Sequence, residues 1–161
     1  MFEVVRWAAV VAATVTTGLL AGVFFAFSVA VMPGLARVGD RGVVEVMQRI
    51  NEAILNGWFL VVFLGSPVLS LVAVVVHVGS SGAVLGWLVA ALVGGVVSLA
   101  VTVRGSVPLN DALAQAGPVE RMADPVGVRR RFEARWVRWN VVRTVASVLA
   151  FGCLVGAVAV G

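Results

Sequence analysis

The chain has 161 residues, of which 61% are hydrophobic, and its mean hydropathy is +1.07. These values exclude an ordinary soluble domain, because no soluble domain of this length needs so much apolar sequence. The sequence contains four apolar runs of about 20 residues or more, the length that crosses a bilayer as a helix. It therefore predicts an integral membrane protein with a single domain.

The net charge is +4, and every basic residue except one histidine is arginine. The arginines cluster at the ends of the apolar runs and do not form a solvated stripe with base-stacking aromatic residues, as a nucleic-acid-binding surface would. They indicate contact with anionic lipids instead, and we expect no nucleic acid partner. A lone histidine, His77, and a lone cysteine, Cys153, exclude an intrachain disulfide and disfavour iron, copper or haem sites. We therefore predict no metal and no cofactor.

The predicted spans are residues 4–32, 54–77, 83–103 and 137–160, and the longest connector is 104–126. The fold class that follows is all-α, an integral membrane four-helix bundle. The first run is too long for the apolar core of a signal peptide, so we expect it to remain as a span. Amphipathic helical extensions of spans 2 and 4 are predicted on the cytoplasmic side.

Two spans carry ridges of small residues at every fourth position. The ridge of span 1 is Thr14, Gly18, Gly22 and Ala26, and the ridge of span 3 is Gly86, Ala90, Gly94, Ser98 and Thr102. Small residues let the backbones of two helices approach closely. We therefore expect spans 1 and 3 to pack tightly, either with each other or between subunits of a homo-oligomer.

The distribution of arginine predicts the topology. The connectors 33–42 and 104–126, with their flanking residues, contain nearly all the arginines, whereas the opposite side holds only Arg6. The positive-inside rule then places both connectors in the cytoplasm and both termini outside. We expect the membrane to be a plasma membrane of bacterial type.

Two polar positions have more than one interpretation. Asn51 lies on the apolar face of the helix before span 2, beside Met47 and Ile54, so it is either a buried, hydrogen-bonded amide or part of a pocket lining. In the long connector, Asn110 and Asp111 either cap a short helix or contribute to a site.

The segment before span 4 combines aromatic, amide and guanidinium groups. Trp136, Asn140 and Arg143 lie at positions i, i+4 and i+7, so a helix places them on one face, with Trp139 beside them. Tryptophan and arginine are common membrane anchors, and an interfacial belt explains Trp139 well. It explains Asn140 and Arg143 less well, and a functional site is the alternative.

Several polar residues are predicted at the same membrane level, close to aromatic side chains. Together they could form a pocket for an apolar aromatic small molecule, open to the cytoplasmic leaflet. No nucleotide-binding glycine motif or Ser-His-Asp set is present, and no acidic residue lies deep in a span as in proton-coupled exporters. The candidate site consists of Gln48, Asn51, Asn110, Asp111, Asn140 and Arg143, with Phe25, Trp136 and Trp139 as aromatic walls.

Four motifs occur in order along nearly the whole chain: FAFSVAVMPGL (25–35), MQxxN (47–51), VPLNDAL (107–113) and WxxWNxxRT (136–144). In this order the chain resembles the anthrone oxygenase-like membrane family, also catalogued as a domain of unknown function. The resemblance implies a four-span bundle and the oxidation of anthrones to anthraquinones in aromatic polyketide biosynthesis. Members of that family often carry histidine after the Trp-Asn pair, where this chain has Val141.

The resemblance implies a cofactor-independent oxygenase with dioxygen as co-substrate, because an anthrone carbanion can meet dioxygen without a metal or flavin. In this hypothesis Arg143 and Asn140 stabilise the enolate oxygen, and Asp111, or alternatively Glu133, accepts the proton. The substrate would be bound by Trp136, Trp139, Phe25, Gln48, Asn51 and Asn110. The alternative is a non-enzymatic bundle that binds lipid or quinone, in which the same groups are interhelical hydrogen bonds and anchors.

Overall fold

The computed structural model describes residues 1–161, and its regular secondary structure is entirely helical. The four helices apolar enough to cross a membrane are α1 (Phe2–Leu35), α3 (Gly57–Val76), α4 (Gly82–Gln115) and α5 (Pro125–Val160). An amphipathic helix, α2 (Asp40–Ile54), stands between α1 and α3 in the chain. The predicted all-α bundle with four spans is confirmed, and the chain is an integral membrane protein.

The four spans form a ring. α1 packs against α3 and α5, and α4 packs against the same two helices, so α1 and α4 are diagonal neighbours. The small-residue ridges of spans 1 and 3 therefore do not pack on each other. Both contribute to contacts with α5, where Gly18 lies against Phe151 and Gly94 lies against Ala150. Their other predicted use, association between subunits, stays a prediction.

Three of the spans are longer than a bilayer requires. The 20 residues of α3 measure about 30 Å along the helix axis, which matches the hydrocarbon core, whereas the 34 to 36 residues of α1, α4 and α5 measure about 50 Å. The end of α1, the end of α4 and the start of α5 project on the same side. Together with α2 and the loop 116–124 they form what we call the polar end.

The long connector and the helix before span 2 differ from their predictions. Residues 104–115, predicted as connector, continue α4. α2 is not an extension of span 2, because the chain breaks at Leu55 and Asn56 caps the next helix by accepting a hydrogen bond from the Phe59 backbone N–H at 3.0 Å. The break lets α2 fold back against α5 and the end of α4. The predicted extension of span 4 is confirmed, because α5 is continuous.

Two π-helical turns widen α1 and α4 where the polar end begins. They cover Phe27–Val31 and Thr102–Ser106, and in each case a proline, Pro33 or Pro108, follows two residues later. Proline has no N–H to donate to the preceding turn, and a π turn accommodates that loss. Both turns contact α5.

Pairs of small hydroxyl groups link the spans within the apolar part of the bundle. Thr17 of α1 bonds to Ser66 of α3 at 2.8 Å, and Ser147 of α5 bonds to Ser98 of α4 at 3.0 Å. All four side chains are buried, so each hydroxyl finds its partner on the neighbouring helix. These pairs fix the lateral order of the ring.

Replacing Gly94 with valine should destabilise the bundle. A Cβ on Gly94 would lie 2.9 Å from the Ala146 carbonyl oxygen, a backbone atom that cannot move aside without shifting α5. Overpacking of this kind typically costs about 1–3 kcal/mol, so we expect a clear fall in the thermal unfolding temperature in detergent. Gly86→Val on the same ridge is the control, because nothing lies within 4 Å of its Cβ. Equal effects of the two changes would contradict this packing.

Candidate functional site

One face of α5 is buried where the polar end meets the apolar bundle. Trp136, Asn140 and Arg143 are only 5%, 1% and 6% exposed, so they share an inward face as their spacing predicts. Trp139 and Val141 are 39% and 46% exposed and lie on the outer surface. The interfacial belt therefore describes Trp139, whereas Asn140 and Arg143 belong to the interior.

The Asn140 side chain joins α5 to the π turn of α1. Its Nδ2 group donates to the Phe24 carbonyl at 3.0 Å and to the Ser28 hydroxyl at 2.8 Å, while its Oδ1 accepts a hydrogen bond from Arg143 Nη2 at 2.9 Å. The Thr144 hydroxyl lies 2.9 Å from that of Ser28 and also donates to the Asn140 carbonyl. Both N–H bonds of the Asn140 amide are thus used within the protein.

The Arg143 guanidinium is held by aromatic rings rather than by an acid. Its central carbon lies 4.3 Å from the centre of the Phe24 ring and 5.3 Å from that of Trp136. Arg143 takes part in no ion pair, and its Nε group is buried without a hydrogen-bond partner. Burying an unpaired cation costs several kcal/mol, of which cation–π contacts return about 2 kcal/mol each. Such a costly arrangement is typical of a functional position.

Trp136 connects this buried cation to the end of α4. Its indole Nε1 donates a hydrogen bond to Asn110 Oδ1 at 2.9 Å, and its ring packs between Phe27 and Phe132 with centroid distances of 5.5 and 6.1 Å. Asn110 and Asp111 lie inside a helical segment that begins at Val107, so of their two predicted interpretations the helix cap is wrong. The hydrogen bond fixes the Asn110 oxygen and leaves its amide N–H groups free to donate to a ligand.

A cleft of about 530 Å³ lies between α2, the end of α4 and the loop that follows it. Its volume falls within the usual range for small-molecule sites. Four of the predicted site residues line it, namely Gln48, Asn51, Asn110 and Asp111. Arg143 and Asn140 are not among its lining residues, so the structure divides the predicted site into a cleft and a buried cluster that meet at the Trp136–Asn110 hydrogen bond.

The two remaining amides of the cleft differ in their partners. Gln48 Nε2 donates to the carbonyl oxygens of Leu113 and Gly117 at 2.9 and 3.0 Å, so it closes the C-terminal end of α4. Asn51 Nδ2 is buried and has no partner in the protein. Of its two interpretations, the pocket lining is therefore the one that the structure supports.

The cleft is acidic. Its lining includes Glu45, Glu52, Asp111 and Glu120 but only one basic residue, Arg49. Arg49 forms an ion pair with Glu45 at 2.9 Å. The hydrogen bond to Glu45 and, second, the negative charge of Glu45 raise the pKa of the Arg49 guanidinium. No three side chains of the His, Cys, Asp or Glu type are grouped so that they could hold a metal ion.

Other predicted residues lie away from both parts of the site. Phe25 is 52% exposed on the outer surface of α1, whereas its neighbour Phe24 faces inward. Trp139 packs over Gly105 of the second π turn, where a Cβ would lie 2.7 Å from the indole ring. Glu133 is paired with Arg129 at 2.6 Å and does not line the cleft.

The residues that hold α2 in place were not identified from the sequence. Arg129 on α5 binds Asp40 at 3.0 Å and the Val38 carbonyl at 2.9 Å, and Arg41 on α2 donates to the carbonyl oxygens of Val119 and Met122. These partners are 78 to 91 residues apart in sequence, and no periodic pattern relates them. Without these contacts the cleft would lose one wall.

Replacing Asn140 with alanine should lower stability, because the Ser28 hydroxyl and the Nη2 group of Arg143 each lose a hydrogen bond inside the bundle. Losing such bonds costs about 1–3 kcal/mol, which thermal unfolding in detergent can measure. Val141→Ala is the control, because that neighbouring side chain faces outward. An Asn140→Ala protein as stable as the Val141→Ala protein would show that the network contributes nothing.

Comparison with known proteins identifies one family. The family model described as anthrone oxygenase matches residues 58–153, which is more than half of the chain and includes Asp111, Trp136, Asn140 and Arg143. α1 and α2 lie outside the matched region. No curated protein and no solved structure matches the chain significantly. On the family match, the chain belongs to the anthrone oxygenase family.

Proposed function

We propose that the protein is a membrane-embedded oxygenase that converts a polycyclic aromatic phenol of the anthrone type into a quinone, with dioxygen as co-substrate and without a cofactor. The family match supports the oxygenase class. The observation that carries the site is the hydrogen bond from Trp136 to Asn110, because it joins the acidic cleft to a buried cation.

The reaction requires a base and groups that stabilise an anion. An anthrone carries a CH₂ group opposite its carbonyl, and loss of one of its protons gives an enolate. The enolate carbon reduces dioxygen and forms a C–O bond to a peroxide, which then loses water to leave the second carbonyl. One anthrone and one dioxygen thus give one quinone and one water.

Asp111 is the proposed base. It lines the cleft next to Asn110, whose oxygen is bound by Trp136, and it forms no ion pair. The amide N–H groups of Asn51 and Asn110 are the proposed donors to the substrate oxygens. Gln48 positions the end of α4, because its donors are used by Leu113 and Gly117.

Arg143 and Asn140 act from behind the cleft wall in this proposal. The unpaired Arg143 cation lies 5.3 Å from the Trp136 ring, which is bonded to the cleft residue Asn110. It makes the electrostatic potential on this side of the cleft more positive, which favours negative charge on a bound aromatic ring. Asn140 keeps the guanidinium in place through the hydrogen bond at 2.9 Å. Both are therefore positioning and electrostatic groups rather than groups that touch the substrate.

One observation favours the alternative, a non-enzymatic bundle that binds lipid or quinone. Asn140, Arg143, Ser28 and Thr144 bond to one another, as interhelical contacts in a scaffold would. Turnover separates the two functions, since a binding bundle forms no quinone from an anthrone.

Asp111→Asn should lower the rate of anthrone oxidation about 10²-fold or more, because it removes the proposed base and keeps the shape of the side chain. The rate is measured as oxygen-dependent quinone absorbance with purified protein in detergent, with and without a chelator. Glu3→Gln is the matched control, because that carboxylate lies near the opposite end of α1. Unchanged turnover by the Asp111→Asn protein would remove Asp111 from the mechanism, and no turnover by the wild type would favour the binding bundle.

Arg143→Gln should lower kcat about 10²-fold with little change in KM, because the lost charge acts mainly on the anion formed during the reaction. Arg138→Gln, on the exposed face of α5, should keep the wild-type rate. Arg143→Lys restores a cation and should recover part of the loss. A purely structural role would instead leave kcat unchanged in folded Arg143→Gln protein, or give no recovery with lysine.

A further inference from the structure

The charge of the cleft differs from the charge of the surface around it. Its lining carries four carboxylates and one guanidinium, which already pairs with Glu45. Among these residues Glu52 and Glu120 are exposed and form no ion pair. Negative charge therefore exceeds positive charge at the entrance that a ligand must pass.

A second observation marks the cleft as a ligand site independently of its acidity. Asn51 lines the cleft, and its Nδ2 group has no hydrogen-bond partner in the protein. Asn110 also lines the cleft, and Trp136 binds its oxygen, so its N–H groups can donate to a ligand. A buried donor without an acceptor costs free energy unless a ligand satisfies it. The ligand must therefore present hydrogen-bond acceptors such as carbonyl or phenol oxygens. It must also enter a cleft that is lined by carboxylates.

The arginines of the polar end lie outside this cleft, apart from Arg49. Six arginines of the polar end are exposed and can bind anionic lipid headgroups: Arg37, Arg104, Arg130, Arg131, Arg135 and Arg138. A cleft beside such headgroups would fill with lipid phosphate if its lining were basic. Its carboxylates repel those phosphates and keep the space open to a different molecule.

We propose that this cleft selects uncharged aromatic phenols or ketones and excludes those that carry a carboxylate. This inference rests on the proposed function for the position of the substrate. It is consistent with the proposed chemistry, because proton transfer to Asp111 moves a negative charge within the cleft and adds none. It also implies that any carboxyl group on a precursor must be removed by a decarboxylation, or masked as an ester or amide, before this step.

The experiment compares three ligands of one shape at neutral pH: 1,8-dihydroxyanthraquinone, its 3-carboxylic acid and the corresponding 3-carboxamide. Binding to the full-length protein in detergent is measured by calorimetry at low salt. The carboxamide controls for size, since it differs from the ionised acid in charge. We expect the carboxamide to bind about tenfold more tightly than the acid, and 0.5 M salt to narrow the difference because it screens charge.

The variant Glu52→Gln/Glu120→Gln should reduce the preference to about threefold or less, mainly through tighter binding of the acid. Both side chains are exposed and unpaired, so the protein should fold, and Glu3→Gln is the control at the opposite end of the molecule. Three results would overturn the proposal. The first is that the wild-type protein binds the acid and the carboxamide with equal affinity. The second is that salt and the double variant leave the preference for the carboxamide unchanged, and the third is that none of the three ligands binds.

Failure of the proposed function gives a different result. If the protein binds the ligands selectively but forms no quinone from an anthrone, the proposal of charge selectivity stands and the proposal of oxygenase activity is rejected. If neutral and carboxylated anthrones are oxidised at equal kcat/KM, the proposal of oxygenase activity stands and the proposal of charge selectivity is rejected.

Discussion

The hydrogen bonds of Asn140 are the interaction on which the site depends. Its amide ties α5 to the π turn of α1 and holds the Arg143 guanidinium between Phe24 and Trp136. A buried cation without an acidic partner is tolerated only where the surroundings fix it tightly. The widened π turn supplies this constraint, because it places the Ser28 hydroxyl within hydrogen-bonding distance of the amide.

The polar end connects this buried cluster to the cleft. Trp136 belongs to the cluster and donates one hydrogen bond to Asn110 in the cleft. Gln48, Arg41 and Arg129 hold α2 against α4, α5 and the loops. These contacts are made by side chains that span the projecting ends of three long helices. The extra length of α1, α4 and α5 beyond the bilayer is therefore what builds the cleft.

Charge is separated across a short distance in this fold. A cation lies inside the bundle, carboxylates line the cleft, and arginines cover the outer surface of the polar end. The cation lies in a region of low dielectric, whereas Glu52, Asp111 and Glu120 are exposed. Val141 faces outward from α5, so its side chain lies outside the buried cluster.

The sequence alone determined the four spans and the shared face of Trp136, Asn140 and Arg143, because apolar length and helical spacing are local properties. Only the tertiary structure decided which polar residues meet. Asn51 and Asn110 share a cleft because the chain breaks at Leu55 and α4 continues past residue 103, and neither event follows from hydropathy. The structure also turned Phe25 and Trp139 outward and left Arg143 without an acid, since the partners of a side chain depend on the packing of helices distant in sequence.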